Sequence, residues 1–331
     1  MSIRDFDLLV VGDANPDLIL SGGELEPAFG QRERIVGSSA LVLGGSGAIT
    51  ACGAARLGLR TAMVACVGDD VFGDFMLTEL TAAGVDVHGV RVLPGMPTGI
   101  SVALARPDDR AVLTARGAMG ALDPAEVPAE LLGRTRHVHV ASPFLQPALR
   151  DGLAALVDRA HDAGTTVSLD TGWDPDDRWT PLAAALPAVD VLLPNAQEVL
   201  RLAAAAVDGR PGADGFGTDT LGTDALDAAA AAALLAADGP LVVAKLGEEG
   251  ALAVRDGEVV RVAAPRVETI DAVGAGDSFD AGFLTGWLEG LGLADALTLA
   301  CACGALSTRR AGGTAGQPTR AEADAMASVV R

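Results

Sequence analysis

The sequence predicts an α/β chain: one doubly wound, mostly parallel sheet with helices on both faces, and a small additional β element. Three observations carry this. From residue 136 onward, strand-like and helix-like segments alternate, which implies parallel strands layered with helices. The first strand-like run, Leu8–Gly12, ends in the polar cluster Asp13-Ala-Asn15-Pro-Asp17. That is where open α/β sheets bind ligands. Two separate stretches, about 16–40 and 91–116, have β character outside the alternation.

With 331 residues, half of them hydrophobic, the chain can bury the core of one large domain spanning 1–331. Its net charge of −20, with no basic run along the sequence, argues against nucleic acid and anionic membranes as partners. A metal-complexed nucleotide needs only local positive groups and is not excluded. The opening segment is too short and too acidic for a signal peptide, and no apolar run reaches transmembrane length unbroken. Cys52, Cys66, Cys301 and Cys303 lie in apolar segments without partner ligands at zinc spacing, so buried free thiols and a cytoplasmic location are expected. His137 and His139 alternate on a strand and are expected to be structural.

The elements follow in order. Asn15-Pro-Asp17 read alone is a good turn. Residues 18–40, with Gly22, Gly23 and Gly30, and residues 91–116, with alternating Ile100, Val102 and Leu104 before Arg110, suggest one small sheet built from both. Between them, Gly44-Gly45-Ser-Gly47-Ala-Ile49 opens a helix, and glycines there allow a ligand close to the backbone. Met63–Asp86 reads strand, turn, helix, with Gly68 and Asp69 as turn chemistry. Next come a strand at His137–Ala141, a helix at Leu149–Ala163, strands at Thr166–Asp170 and Asp190–Leu193, and a helix from Ala196. Asn195 and Glu198 open that helix, where Glu suits the dipole. Residues 207–224 are rich in Gly, Asp and Thr and are expected to form a flexible surface insertion. Their spacing does not fit an EF-hand. Leu241–Leu246 is a strand with Lys245 at its carboxyl end and Gly247 beyond it. That Lys either reaches a phosphate or snorkels at the surface. Two short strands at 251–263 and a helix within 294–316 follow.

Asp271–Leu284, DAVGAGDSFDAGFL, carries the chemistry. Gly274-Ala275-Gly276 frees backbone N–H groups at a helix start, which is an anion site. Asp277 in that turn can accept a proton from an attacking hydroxyl. Read alone, the same Asp also suits an N-cap. Phe279, Phe283, Leu284 and Trp287 give the helix an apolar inner face.

This stretch resembles the C-terminal signature of the pfkB (ribokinase-like) family of carbohydrate kinases, with Ala272 in place of the usual Thr. The Gly44–Ala51 segment is similar to the N-terminal signature, with Ile49 where the family has Asn. Asn15-x-Asp17 and Asn195-x-x-Glu198 follow the family order. The resemblance implies a ribokinase-like fold whose small sheet is a lid over the sugar, able to pair two subunits. It implies ATP and Mg²⁺, with a monovalent cation such as K⁺ beside the Asp271 loop. It assigns Asp277 as the base, Gly274, Ala275 and Gly276 as the anion hole, and Asn15, Asp17, Gly44 and Gly45 to the sugar. It assigns Asn195, Lys245 and Gly247 to the nucleotide and Glu198 to the metal. Asp170-Thr-Gly-Trp173 departs from the family's Asp-Pro-Asn-x-Arg, so an Arg that contacts phosphate is missing or displaced.

The expected activity is ATP-dependent phosphorylation of the terminal hydroxymethyl of a small neutral sugar. No aromatic or cationic residue stands beside Asn15, Asp17 or Gly44–Gly47, although Arg106 and Arg110 could turn inward. Ile49 suggests a deoxy position or a ring other than ribose. The alternatives are a kinase of a nucleoside, sugar acid or vitamin, and a sugar-binding protein without turnover. A dinucleotide-binding dehydrogenase is excluded, because Gly12-Asp-Ala-Asn replaces the Gly-x-Gly-x-x-Gly it needs.

Overall fold

The first strand is apolar on both faces, and that fixes its place at the centre of the large sheet. Leu8 and Val10 enter one core, Leu9 and Val11 the other, and all four are fully buried. The computed structural model describes residues 4–106, 110–182, 185–208, 227–237 and 239–330. The insertion expected at 207–224 lies, from residue 209 on, outside the described residues.

The chain runs β1 (Phe6–Val11), β2 (Asn15–Gly23), β3 (Val36–Gly44), α1 (Ser46–Arg56), β4 (Thr61–Gly68), α2 (Val71–Ala82) and β5 (Asp86–Leu93). It continues through β6 (Ile100–Ala105), β7 (Arg110–Ala115), α3 (Ala129–Gly133), β8 (Thr135–Ala141), α4 (Pro147–Asp151), α5 (Leu153–Asp162) and β9 (Thr166–Asp170). Then follow β10 (Val191–Leu192), α6 (Ala196–Asp208), α7 (Ala228–Ala236), β11 (Leu241–Lys245), β12 (Ala251–Arg255) and β13 (Glu258–Val262). Three helices end it: α8 (Ala275–Leu288), α9 (Leu293–Ser307) and α10 (Arg320–Val330).

The large sheet has the order β13-β12-β11-β10-β9-β8-β1-β4-β5. It is parallel from β11 to β5 and antiparallel at β12 and β13. Helices α3–α7 pack against one face, and α1, α2 and α8–α10 against the other. The chain leaves β1 toward β4 on one side and later returns at β8 on the other. The carboxyl ends of β1, β8 and β9 therefore border the crevice where such sheets bind ligands.

The small sheet, β3-β2-β6-β7, is mixed, since β2 and β6 pair in parallel, and it differs from expectation in two ways. It begins at Asn15, so Asn15 and Asp17 lie on a strand and not in a turn. Residues 91–93 belong to β5, which pairs parallel with β4 at the edge of the large sheet. The helix expected at 149–163 is broken into α4 and α5 at Gly152, where a Cβ would sit 2.4 Å from the Pro124 ring. Asp70 caps α2 through the Phe72 and Gly73 N–H groups and also accepts from Thr98, which ties the start of α2 to the approach of β6. All four cysteines are buried free thiols. No helix among the described residues is long and apolar enough to cross a membrane.

Candidate active site

Helix α8 begins where Gly274, at φ 73°, turns the chain in the left-handed region. A side chain there would be strained, and its Cβ would also stand 2.7 Å from the Gly313 backbone. The Ala275 N–H is drawn back to the Ala272 carbonyl at 3.3 Å. The Gly274, Gly276 and Asp277 N–H groups have no acceptor among the described residues. An anion at this helix end would meet those three amides, while the Ala275 N–H serves the turn.

Asp277 receives a hydrogen bond from the Ser46 hydroxyl, across 231 residues of sequence. Ser46 follows Gly44 and Gly45, so this one bond joins the two glycine-rich segments. Gly45, at φ 83°, leaves no room for a side chain beside the Asp13 carbonyl and Asn15 Oδ1. Asp13 caps α1 from outside, accepting the Ser46 N–H at 3.1 Å and the Gly47 N–H at 2.9 Å. Burial pushes its carboxyl up to about 6, despite those two donors.

On the small sheet, Asp17, Ser101 and Thr114 stand in register on neighbouring strands and share one face. Asn15 Nδ2 donates to Asp17 Oδ1 at 3.3 Å and to Ser101 Oγ at 3.2 Å, and Ser101 Oγ is 3.0 Å from Thr114 Oγ1. A Cβ on Gly44 would collide with the Asp17 carboxylate. Burial, then the charge of Asp13, push the Asp17 carboxyl up to about 7. Arg110, two rungs along the same face, opposes that rise.

Behind the anion turn lies a buried charge network that the sequence reading missed. Lys245 Nζ donates to Asp170 Oδ2 at 2.9 Å and to both Asp280 oxygens at 3.1 and 3.0 Å. Its side chain is only 12% exposed, which excludes the snorkelling alternative. It passes beneath the anion turn, 3.7 Å from where a Gly276 Cβ would be. Carboxylate oxygens of Asp170, Asp277 and Asp280 lie within 4.8 Å of one another. Asp170 is drawn down to about 2, against its burial, chiefly by the Lys245 charge. Burial holds Asp280 well above the usual carboxylate range. Of the two carboxylates facing Lys245, Asp170 is thus the more readily ionised. Burial, then the Asp170 charge, push Asp277 up to about 7, with Ser46 and Lys245 acting the other way. The signal for this network was a carboxylate, Asp280, standing inside the apolar stripe of α8.

Asn195 and Glu198 form a capping box. Asn195 Oδ1 accepts the Gln197 and Glu198 N–H groups at 2.9 Å, and Glu198 Oε2 accepts the Asn195 N–H at 2.8 Å. Asn195 also bridges to Lys245 in parallel register. Burial, then Asp170, push Glu198 up to about 7. No cationic side chain forms an ion pair with Glu198 among the described residues. Gly247, at φ 60°, faces open space beyond β11.

Ile49 requires a correction. It is 3% exposed and packs where a Cβ on Gly313 would be 2.5 Å from its Cδ1. It fills the contact between α1 and the 312–317 loop, so its presence does not report on the sugar ring. His137 and His139 are buried and share Ser168 Oγ at 2.7 and 2.8 Å, as structural histidines do.

Comparison with known proteins shows the family of this chain. The model of the pfkB family of carbohydrate kinases matches residues 5–320. An ATP-dependent ribose-1-phosphate kinase of Halopiger xanaduensis is 33% identical over 307 residues, covering 92% of this chain and 93% of that protein. A 2-dehydro-3-deoxygluconokinase of Bacillus subtilis is 32% identical, covering 84% of each. A candidate ribokinase II of E. coli, solved with ATP and Mg²⁺, superposes with a TM-score of 0.81 at 25% identity, covering 98% of this chain and 99% of that one.

Proposed function

This chain belongs to the pfkB family and is an ATP-dependent carbohydrate kinase, and from that premise we propose that it phosphorylates the terminal hydroxymethyl of a small sugar with Asp277 as the base. The observation that carries this is the position of Asp277. It lies in the turn of free amides and is held by Ser46, and burial pushes its carboxyl up to about 7. The sugar hydroxyl lies over Asp277, which takes its proton as the oxygen attacks the γ-phosphorus and the bond from that phosphorus to the bridging oxygen breaks, releasing ADP. The amides of Gly274, Gly276 and Asp277 stabilise the charge on the transferring group. Asn15, Asp17 and the backbone at Gly44 and Gly45 hold the other hydroxyls. The small sheet acts as a lid that keeps out water, which would otherwise compete as acceptor.

The acidic side of this crevice suits a hard divalent cation. Glu198 is a buried carboxylate without an ion-pair partner among the described residues, and we assign it, directly or through water, to Mg²⁺. When bound, Mg²⁺ neutralises charge on the triphosphate. Asn195 and Gly247 border the nucleotide, and Lys245 contributes its charge from beneath the anion turn. Replacing Glu198 by Gln is expected to raise the Mg²⁺ concentration for half-maximal rate several-fold while the sugar KM stays nearly constant. A rate independent of Mg²⁺ would remove the assignment. The Asp271 carboxylate, which accepts from Val273 and Gly312 N–H and has no cationic partner among the described residues, is the place for a monovalent cation such as K⁺. Leu41 and Leu113, exposed on the lid face opposite Asp17, support pairing of two copies. The buried free thiols support a cytoplasmic location.

For the substrate we favour a neutral sugar, because amide, carboxylate and hydroxyl groups form the row Asn15, Asp17, Ser101 and Thr114. Arg110 supports a second reading, a sugar acid or sugar phosphate, since its charge already acts on Asp17. A matched panel of fructose, ribose, a 2-keto-3-deoxy sugar acid and adenosine separates them. The neutral reading requires the highest kcat/KM for a neutral sugar. A tenfold preference for the acid, roughly 1.4 kcal/mol of transition-state binding, that collapses in Arg110→Met establishes the second.

A further inference from the structure

The sequence shows no basic run, yet the fold gathers three arginines at one place. Arg56 ends α1, and Arg309 and Arg310 follow α9. All three line one cleft of about 480 Å³, whose walls include Leu306 and Met326. That volume falls within the usual range of small-molecule sites. None of the three guanidinium groups has an ion pair or side-chain hydrogen bond among the described residues. Glu322 is the one acidic residue in the lining. Its carboxylate accepts the Thr319 N–H at 2.7 Å and hydroxyl at 2.8 Å, and the Arg56 and Arg309 charges also act on it without forming an ion pair. Three arginines less one glutamate leave a formal +2 in a chain of net charge −20.

Arginines at the ends of α1 and α9 also complement the helix dipoles. That accounts for Arg56 and Arg309 but not for Arg310, which lies past the last turn, nor for the cleft. The cleft also backs onto the anion turn. Gln317, in its lining, is 3% exposed and donates to the Ile49 carbonyl at 2.9 Å and to Ser278 Oγ at 3.2 Å. Ser278 is the residue after Asp277. Gly312 N–H binds Asp271, and Gly313 packs against Gly274. One short segment thus presents arginines outward and supports the catalytic turn inward.

We propose that this cleft is a second anion site, which binds a small phosphorylated metabolite and modulates turnover through residues 309–317. Guanidinium groups suit phosphate oxygens, which they hold by paired hydrogen bonds. The charge of the cleft favours a multiply charged anion over a monocarboxylate.

Inorganic pyrophosphate is the probe. It is titrated calorimetrically into the full chain with its nucleotide site filled by a non-hydrolysable ATP analogue and Mg²⁺. The expected result is one site per chain, weakened by salt, with affinity falling at least tenfold in Arg56→Gln/Arg310→Gln. Basal kcat of that variant should stay within twofold of wild type, and the effect of pyrophosphate on wild-type kcat or KM should disappear. If the double variant folds poorly, Arg310→Gln alone, at the exposed rim, carries the same expectation with a smaller loss. Absence of binding at millimolar pyrophosphate and low ionic strength overturns the proposal. So does binding that ignores the arginines, or dimer formation through this face that the substitutions abolish. The titration needs no sugar turnover, so its failure is distinct from failure of the assigned activity.

Discussion

Asp277→Asn is expected to lower kcat by about two orders of magnitude or more, the range for loss of a general base, with ATP and sugar binding largely kept. The base works only when ionised, and burial with the neighbouring Asp170 charge pushes it up to about 7 in the wild type. Wild-type kcat/KM should therefore fall as pH drops below about 7, and the residual rate of the variant should lose that acidic limb. Stability gives an independent check. A carboxyl raised above its unfolded value favours the native state below that unfolded value, and the advantage is lost as pH rises through about 7. Above that pH the ionised Asp277 is a cost, so the Asn variant should melt higher than wild type while turning over far more slowly. Calorimetric melting and steady-state kinetics at pH 8 read both. Near-normal turnover would remove Asp277 from the mechanism.

Much of this architecture can be read from the sequence because its causes are local. The unbroken apolar run Leu8 to Val11, the capping pair Asn195 and Glu198, and the Gly-Ala-Gly turn before Asp277 each act within a few residues. What the sequence hides is set by contacts between distant segments. Ser46 meets Asp277 across 231 residues, and Lys245 meets Asp170 across 75. Nothing near Ile49 announces that Gly313 will press against it. Edge pairing decides that 91–93 joins β4 and not the lid, since both sheets would accept a strand of that composition. A charge inside an apolar stripe, as at Asp280, is the kind of local inconsistency that marks a buried network before any coordinates exist.

Lys245→Met is the second substitution expected to act strongly, and it decides what this lysine does. Asp170 is drawn down to about 2, against its burial, chiefly by the Lys245 charge, and burial holds its neighbour Asp280 well above the usual carboxylate range. The centre of the network is thus the buried ion pair of Lys245 with Asp170. Removing the cation strands the Asp170 charge, which should cost roughly 3–5 kcal/mol of stability. The turn above Lys245 should loosen with it, and kcat should fall. Lys245→Met combined with Asp170→Asn leaves no unpaired charge in the network and should recover most of the lost stability. A lysine that chiefly bound the γ-phosphate would behave differently. Its single substitution would raise the ATP KM with little effect on unfolding, and the second substitution would restore nothing. The double variant removes the Asp170 charge, which most raises Asp277 after burial itself, and the weaker opposing charge of Lys245, so its acidic limb should move to lower pH. Denaturant unfolding of wild type, single and double variants, beside their ATP KM and pH profiles, separates the two roles: a single variant as stable as wild type would show that the Lys245 pairings do not hold the anion turn.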